Sequence, residues 1–366
     1  MPTLKSDREP QKEGFFLMFS VKKILQAQTI EASAPCRIDS GGTWDIKALA
    51  LPLQPIEPVT LNIALNLRTR ASLSPFRNGW VRVSSEGFLR GEEYPLDSVP
   101  FTSPFGLFFA ALSHFAFHGL QVHIRSDSPV KSALGGSSTA LIALLKALSK
   151  LSNAAGMKKF SAREILHMGY HLEDGVSGGN CGIQDQAAAV YGGVNRWTWR
   201  YGQRASPFKR EPLLDMSGKR ELSKRILVAF SGKSHASLRI NRTWINDFLS
   251  GKTRSGWVKV NEVVNSLALA IKGKEWDEAA RLLRKEMAIR RDITPDALIP
   301  LTEELVDRAG SLDCGARFAG AGGGGTVWAL GDLNRIRDLR KIWEGILAPV
   351  RGGRILECEI DPVGMR

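Results

Sequence analysis

The segment Ser128-Pro129-Val130-Lys131-Ser132-Ala133-Leu134-Gly135-Gly136-Ser137-Ser138-Thr139-Ala140 sets two glycines, then three hydroxyl residues, at the start of an apolar run. Glycines let a backbone approach an anion closely. The unbonded N–H groups and positive dipole end of a helix attract it, and a serine hydroxyl can coordinate Mg²⁺. The pattern suits a phosphate group, without the Gly-Lys-Ser/Thr ending of a Walker A loop. Ser137 and Ser138 would equally serve as ordinary helix caps.

Three more segments attract attention. Ala34-Pro35-Cys36-Arg37-Ile38-Asp39-Ser40-Gly41-Gly42-Thr43-Trp44-Asp45 reads on its own as a strand followed by a Gly-Gly turn. Gly182-Ile183-Gln184-Asp185-Gln186 leads through alanines to Gly192-Gly193-Val194-Asn195. Near the C-terminus, Gly315-Ala316-Arg317-Phe318-Ala319-Gly320-Ala321-Gly322-Gly323-Gly324-Gly325 contains Gly-x-Gly-x-x-Gly. A dinucleotide fingerprint opens a helix, whereas these glycines run into strand-like TVWAL, so a Rossmann dehydrogenase is set aside. His114 and His118 have the spacing of a zinc pair but no evident third ligand, and are read as structural. Trp44, Trp197 and Trp199 could line a sugar or adenine pocket, with packing the preferred role for the last two. Cys181 has no thiolate-stabilising partner that would make it a nucleophile.

These residues need elements to position them. Residues 28–39 and 59–73 are extended in character, the second alternating Leu61, Ile63 and Leu65 with Asn62 and Asn66 as a half-buried strand would. A hairpin is expected around VRVSSEGFLRG, a helix over 104–118 and a strand at GLQVHIRS. STALIALLKALSKL is apolar all round and predicts a helix buried on most faces. Helices follow over 161–173 and 183–191, then a strand at VNRWTWR. Beyond RILVAFSG come four helices (236–249, 256–271, 275–290 and 297–310), the glycine run, a helix near 333–346 and a last strand, RILECEID. The organisation is an extension at residues 1–27, a first domain over 28–215 and a second over 216–366.

Together these segments resemble the motifs of the GHMP kinases, named for galactokinase and the homoserine, mevalonate and phosphomevalonate kinases. The 129–140 run is similar to their second motif, Pro-x-x-x-Gly-Leu-Gly-Ser-Ser-Ala, with Ala133 in the place of the first glycine. The 34–45 segment is similar to the first motif as found in heptose-phosphate and fucose kinases. The galactokinase form Gly-Glu-His-Thr-Asp is absent. The 315–325 run resembles the third motif, and Gly-x-x-Asp-Gln resembles the catalytic segment of the sugar kinases.

The resemblance implies an α+β fold of two domains, an N-terminal α/β nucleotide-binding domain and a C-terminal ferredoxin-like domain, with the active site between them. It implies ATP and Mg²⁺ as cofactors. Pro129, Leu134, Gly135, Gly136, Ser137, Ser138 and Thr139 would bind the nucleotide, and Gly322, Gly323 and Gly324 would close over its phosphates. Ser138 and Glu173 would hold the metal. Asp185 would be the base, Arg37 would offset phosphoryl charge or lower a hydroxyl pKa, and Gly41, Gly42, Asp45 and Gln184 would contact a sugar or sugar-phosphate acceptor. A non-catalytic sugar-and-ATP sensor on the same fold is the competing reading.

Bulk properties are compatible. A chain of 366 residues with 43% hydrophobic residues supports two cores. No run of about 18 apolar residues suggests a membrane span. Four scattered cysteines without a CxxC pair fit a reducing cytoplasm. The net charge of +13 would permit nucleic-acid binding, but the basic stretch from Arg200 to Arg225 reads as a solvated loop without a recognition motif. Attraction of anionic substrates is the simpler account of that charge.

Overall fold

The computed structural model describes residues 21–42, 44–203, 206–234 and 237–366. Residues 1–20 of the expected extension, Thr43 and Arg204 lie outside these. The end of the extension, residues 21–27, is helical and packs Val21 and Leu25 into the core.

The first sheet is organised by β2 (Val59–Pro75), a strand long enough to serve several partners. All of β1 (Ile30–Ser40) pairs antiparallel along it, with a register shift between Pro35 and Cys36. The C-terminal half of β2 pairs with β5 (Leu120–Ser126), and its N-terminal half with β6 (Val194–Trp199). The antiparallel hairpin of β3 (Trp80–Ser85) and β4 (Glu92–Pro95) joins through a parallel β3–β5 pairing, and β7 (Phe208–Pro212) closes the other edge. Besides the helix at residues 21–27 and a single turn at Lys47–Ala50, this half contains α1 (Gly106–Phe115), α2 (Gly136–Ala154), α3 (Ala162–Val176) and α4 (Gln184–Tyr191). As its composition predicts, α2 is buried on most faces, between the β1–β2 layer and α3 and α4.

β2 is more deeply buried than its alternation suggests. Asn62, expected on a solvated face, is fully buried, accepts the Trp197 indole N–H (3.0 Å) and donates to the Gln184 carbonyl (3.2 Å). The start of the strand is also covered from the second half, where Asn261, on the helix Arg254–Gly273, accepts the Val59 N–H at 2.8 Å. Trp197 and Trp199 are buried and stacked 5.8 Å apart, in the packing role expected of them.

The basic stretch is not one loop. It contains β7 and the helix α5 (Met216–Ser223), which is N-capped by Asp215.

The second half contains β8 (Ile226–Ser231), α6 (Ser237–Leu249), α7 (Arg254–Gly273), α8 (Trp276–Ile293), α9 (Pro300–Ser311), β9 (Gly315–Phe318), β10 (Thr326–Leu330), α10 (Leu333–Leu347) and β11 (Gly353–Ile355). Its four strands lie in the order β11-β8-β10-β9, all antiparallel. With α9 and α10 as the crossovers this is the βαββαβ ferredoxin-like arrangement, and α6–α8 enter its first connection. The expected last strand ends at Ile355. The chain then returns to the first sheet, where Asp361 N–H bonds to Ala64 and Ser33 and Arg366 exchange backbone hydrogen bonds.

Candidate active site

The site begins where β1 passes under the turn that leads into α2. Arg37 lies on β1 with its side chain buried. Its Nε donates to Asp185 Oδ1 at 2.8 Å, its Nη2 lies 2.7 Å from the same oxygen, and its Nη1 donates to the Ala133 carbonyl at 2.6 Å. Asp185 sits in the first turn of α4, where the helix dipole favours a negative charge. Its side chain keeps about a quarter of its surface exposed (24%). Burial raises its pKa, and the Arg37 guanidinium opposes that shift. For Arg37, burial lowers the pKa, but the Asp185 and Asp39 carboxylates outweigh it and leave the group firmly protonated.

α2 starts without a side-chain cap. Its N-cap is Gly135, in the left-handed region at φ +76°, and the space above Gly136 is open. Ser137 and Ser138 therefore do not serve as caps. Both donate to Glu173 near the end of α3, at 2.7 and 2.6 Å, and Gln186 Nε2 donates to the same carboxylate at 2.7 Å. Burial raises the Glu173 pKa, while the hydroxyl bonds pull it down. Among the described residues no group of three or more His, Cys, Asp or Glu forms a metal cage. The serine hydroxyls and the Glu173 carboxylate are nevertheless the hard oxygen donors that suit Mg²⁺ when phosphate and water oxygens complete its octahedron.

Other expected nucleotide-binding residues are distributed differently. Thr139 turns its hydroxyl back to the Gly135 carbonyl at 2.8 Å, Leu134 is buried with its carbonyl accepting the Arg37 N–H, and Pro129 is half-buried. Ala133 has φ +65°, a region that strongly favours glycine and accounts for the glycine it replaces in the resemblance. Its methyl lies against the glycine run: a Cβ on Gly325 would come within 2.8 Å of it. Gly322, Gly323 and Gly324 all have positive φ, and a Cβ on them would meet the Ala297 carbonyl, Ile240 and the Ser234 carbonyl. The run is thus wedged between the α2 turn and the second half.

Acceptor-side candidates converge beneath α4. Asp45 is buried, accepts the Gln184 N–H at 2.9 Å, and is pushed up by burial to a pKa of about 7. Gly42 presses on Asp39 and the Gln184 amide so closely that any Cβ would clash, and Gly41 takes the turn at φ +66°.

Sequence reasoning missed the buried charges behind this wall. Asp39 accepts the Gly320 N–H at 2.7 Å and an Arg317 Nη1 bond at 2.9 Å, and Arg317 Nε binds Glu286 at 3.0 Å. All three are buried. A signal was present: a lone arginine in an apolar strand segment demands a buried carboxylate. Its partner on a distant helix had no local signature.

The chain is similar to the GHMP kinases over part of its length. Residues 105–193 match the family described as GHMP kinases N terminal domain. A bifunctional fucokinase/GDP-fucose pyrophosphorylase of Arabidopsis thaliana is 24% identical over 61% of this chain, which spans only 21% of that protein. A mevalonate kinase of Thermococcus sibiricus is 24% identical over 73% of this chain and 81% of its own length. A D-glycero-alpha-D-manno-heptose 7-phosphate kinase of Campylobacter jejuni is 29% identical over 46% and 50%. Among solved structures, a D-glycero-D-manno-heptose 1-phosphate kinase from Bacteriodes thetaiotaomicron superposes with a TM-score of 0.70 at 17% identity, covering 93% of this chain and 98% of that one. Phosphomevalonate kinase from Streptococcus pneumoniae, in complex with phosphomevalonate and AMPPNP, gives 0.71 at 16% identity, covering 91% and 100%. The chain shares the fold of these structures, and the family match is confined to residues 105–193.

Proposed function

We propose that the protein is an ATP- and Mg²⁺-dependent small-molecule kinase that transfers the γ-phosphoryl group to a hydroxyl of a sugar or sugar phosphate. A heptose 7-phosphate or a fucose- or galactose-like sugar would be the acceptor. The observation that carries the reading is the Arg37–Asp185 pair beside the uncapped start of α2, whose two serines are bonded to Glu173.

Gly135, Gly136 and the free N–H groups of α2 would receive the phosphates. Ser138 and Glu173 would hold Mg²⁺, which when bound supplies positive charge to the phosphate oxygens. Asp185 orients the attacking hydroxyl and takes its proton as the new O–P bond forms and the bond to the ADP oxygen breaks. In a loose phosphoryl-transfer transition state that proton moves late, so a carboxylate is base enough. Arg37 holds Asp185 in place and adds positive charge beside the transferred group. Asp45, Gln184 and the Gly41–Gly42 turn would bound the acceptor.

The four cysteines are all free thiols, which supports a reducing, cytoplasmic setting. Among the described residues no helix is long and apolar enough to cross a membrane.

ADP release measured with Mg-ATP and a panel of sugars, sugar phosphates and mevalonate tests the proposal. Asp185→Asn should lower kcat by about 100-fold or more while acceptor affinity changes little. Acceptor binding without ADP release from any panel member would leave the sensor reading standing instead.

A further inference from the structure

Asp39 lies two residues along β1 from Arg37, so the two side chains share one face of the strand. Its Oδ1 accepts the Gly320 N–H at 2.7 Å and stands 3.6 Å from Arg37 Nη1, while its Oδ2 accepts Arg317 Nη1 at 2.9 Å. Arg317 Nη1 also donates to the Asp39 carbonyl at 2.6 Å, and Arg317 Nε donates to Glu286 at 3.0 Å. Five charged side chains thus touch in a row of alternating sign: Glu286, Arg317, Asp39, Arg37 and Asp185. The first four are buried, and the row ends at the partly exposed Asp185, against Gly135 of the α2 turn.

A buried ion pair that only joined the two halves would need one anion and one cation. Glu286 already gives Arg317 its carboxylate, so Asp39 is a second anion, set between two guanidiniums. Without its charge, Arg317 and Arg37 would face each other across a neutral residue, where burial leaves like charges poorly screened. Arg37 would then keep its bonds to Asp185 and the Ala133 carbonyl against that repulsion. Gly320, which Asp39 also holds, packs on the same group: a Cβ there would lie 3.3 Å from Arg37 Nη2.

We propose that Asp39 is a positioning residue for the base: anchored by Arg317 and the Gly320 N–H of the second half, its carboxylate fixes the Arg37 guanidinium and, through it, Asp185. The inference rests on the kinase reading for its catalytic consequence. It adds to that reading a side chain that is itself closed to solvent, and it makes the geometry of the base depend on contact between the two halves. The competing role for Asp39 is cohesion alone, in which case its loss would lower stability and leave Arg37 where it is.

Asp39→Asn in the full chain separates these roles. The amide oxygen can still accept the Gly320 N–H, while the charge between the guanidiniums is gone. Hydrogen exchange of arginine Nε–H groups, followed by NMR with Arg37 assigned through Arg37→Lys, reports the Arg37–Asp185 bond without any reaction. Arg68 Nε–H, bonded to Ser33 Oγ at 3.0 Å, is the internal control. In Asp39→Asn the Arg37 Nε–H should exchange at least about tenfold faster and the Arg68 Nε–H at its wild-type rate. With an acceptor that the wild type turns over, kcat should fall by about 100-fold while KM for ATP changes little. Unchanged Arg37 exchange overturns the proposal, and so does a wild-type kcat in a folded but less stable variant. If Asp39→Asn does not fold, Arg317→Lys carries the test, because an ammonium keeps the charge but loses the planar fork that spans Asp39 and Glu286. Faster Arg37 exchange in that variant supports the proposal, and an unchanged rate overturns it. A wild type that turns over no acceptor defeats the kinase reading alone, since the exchange is read without substrate.

Discussion

Asp45 shows how one side chain can carry a pH signature. Its folded-state pKa of about 7 lies far above the 3.8 of a free aspartate, because burial penalises the charge. The folded protein therefore keeps a proton that the unfolded chain releases. The stability Asp45 contributes is greatest below pH 4, falls as the pH rises to about 7, and is constant above that, with a slope of at most about 1.4 kcal/mol per pH unit. Asp45→Asn removes this titration. In denaturant unfolding, the stability of the wild type relative to the variant should decline between pH 4 and pH 7, and a flat difference would show Asp45 charged throughout. Glu173 is similarly isolated among donors, and as the expected metal ligand it gives a second residue-scale test. Glu173→Gln should raise the Mg²⁺ concentration needed for half-maximal ADP release by about 10- to 100-fold, whereas an unchanged Mg²⁺ requirement would remove Glu173 from the metal site.

Among the elements, the turn into α2 stores the clearest local strain. A non-glycine residue in the left-handed region costs about 1–2 kcal/mol, and Ala133 bears this with its methyl against Gly325. Ala133→Gly should relieve the backbone, partly offset by greater freedom in the unfolded chain, so thermal stability should change by no more than about 1 kcal/mol. Ala133→Val adds a branched side chain to the same conformation and contact, and should destabilise the protein by about 2 kcal/mol or more and weaken ATP binding. Equal behaviour of the two variants in thermal unfolding would show that the turn is not constrained as described.

For the whole molecule, the return of the C-terminal segment to the first sheet ties the two halves together. Asp361 forms an ion pair with Arg68, whose Nη2 also donates to the Ser33 and Gly364 carbonyls at 3.0 and 2.9 Å. Arg68 is buried between strands and tail. Removing one partner of a buried pair leaves an uncompensated charge, so Asp361→Asn should cost about 3–5 kcal/mol and lower the thermal midpoint. Loss of less than about 1 kcal/mol would mean that the backbone bonds alone hold the tail. The same tertiary closure brings Glu286 and Arg317, from the second half, against Asp39 on β1 behind the site.

Local rules made the elements legible in the sequence. The all-apolar run gave α2, the Ser161–Glu164 capping box begins α3 close to its expected start, and the glycine run breaks between two strands as its strand-like flanks indicate. The family resemblance, rather than any local rule, named Arg37, Ser138, Glu173 and Asp185, and the fold brings Arg37 and Asp185 together across 148 residues of sequence. Only the tertiary structure decided that the serines bond Glu173 rather than cap α2, that Asn62 is buried, and that Asp39, Glu286, Arg290 and Arg317 gather behind the acceptor wall. Helix periodicity and turn chemistry act over a few neighbours and can be read along the chain. The partner of a buried charge is fixed by where distant elements pack, and no local pattern encodes it.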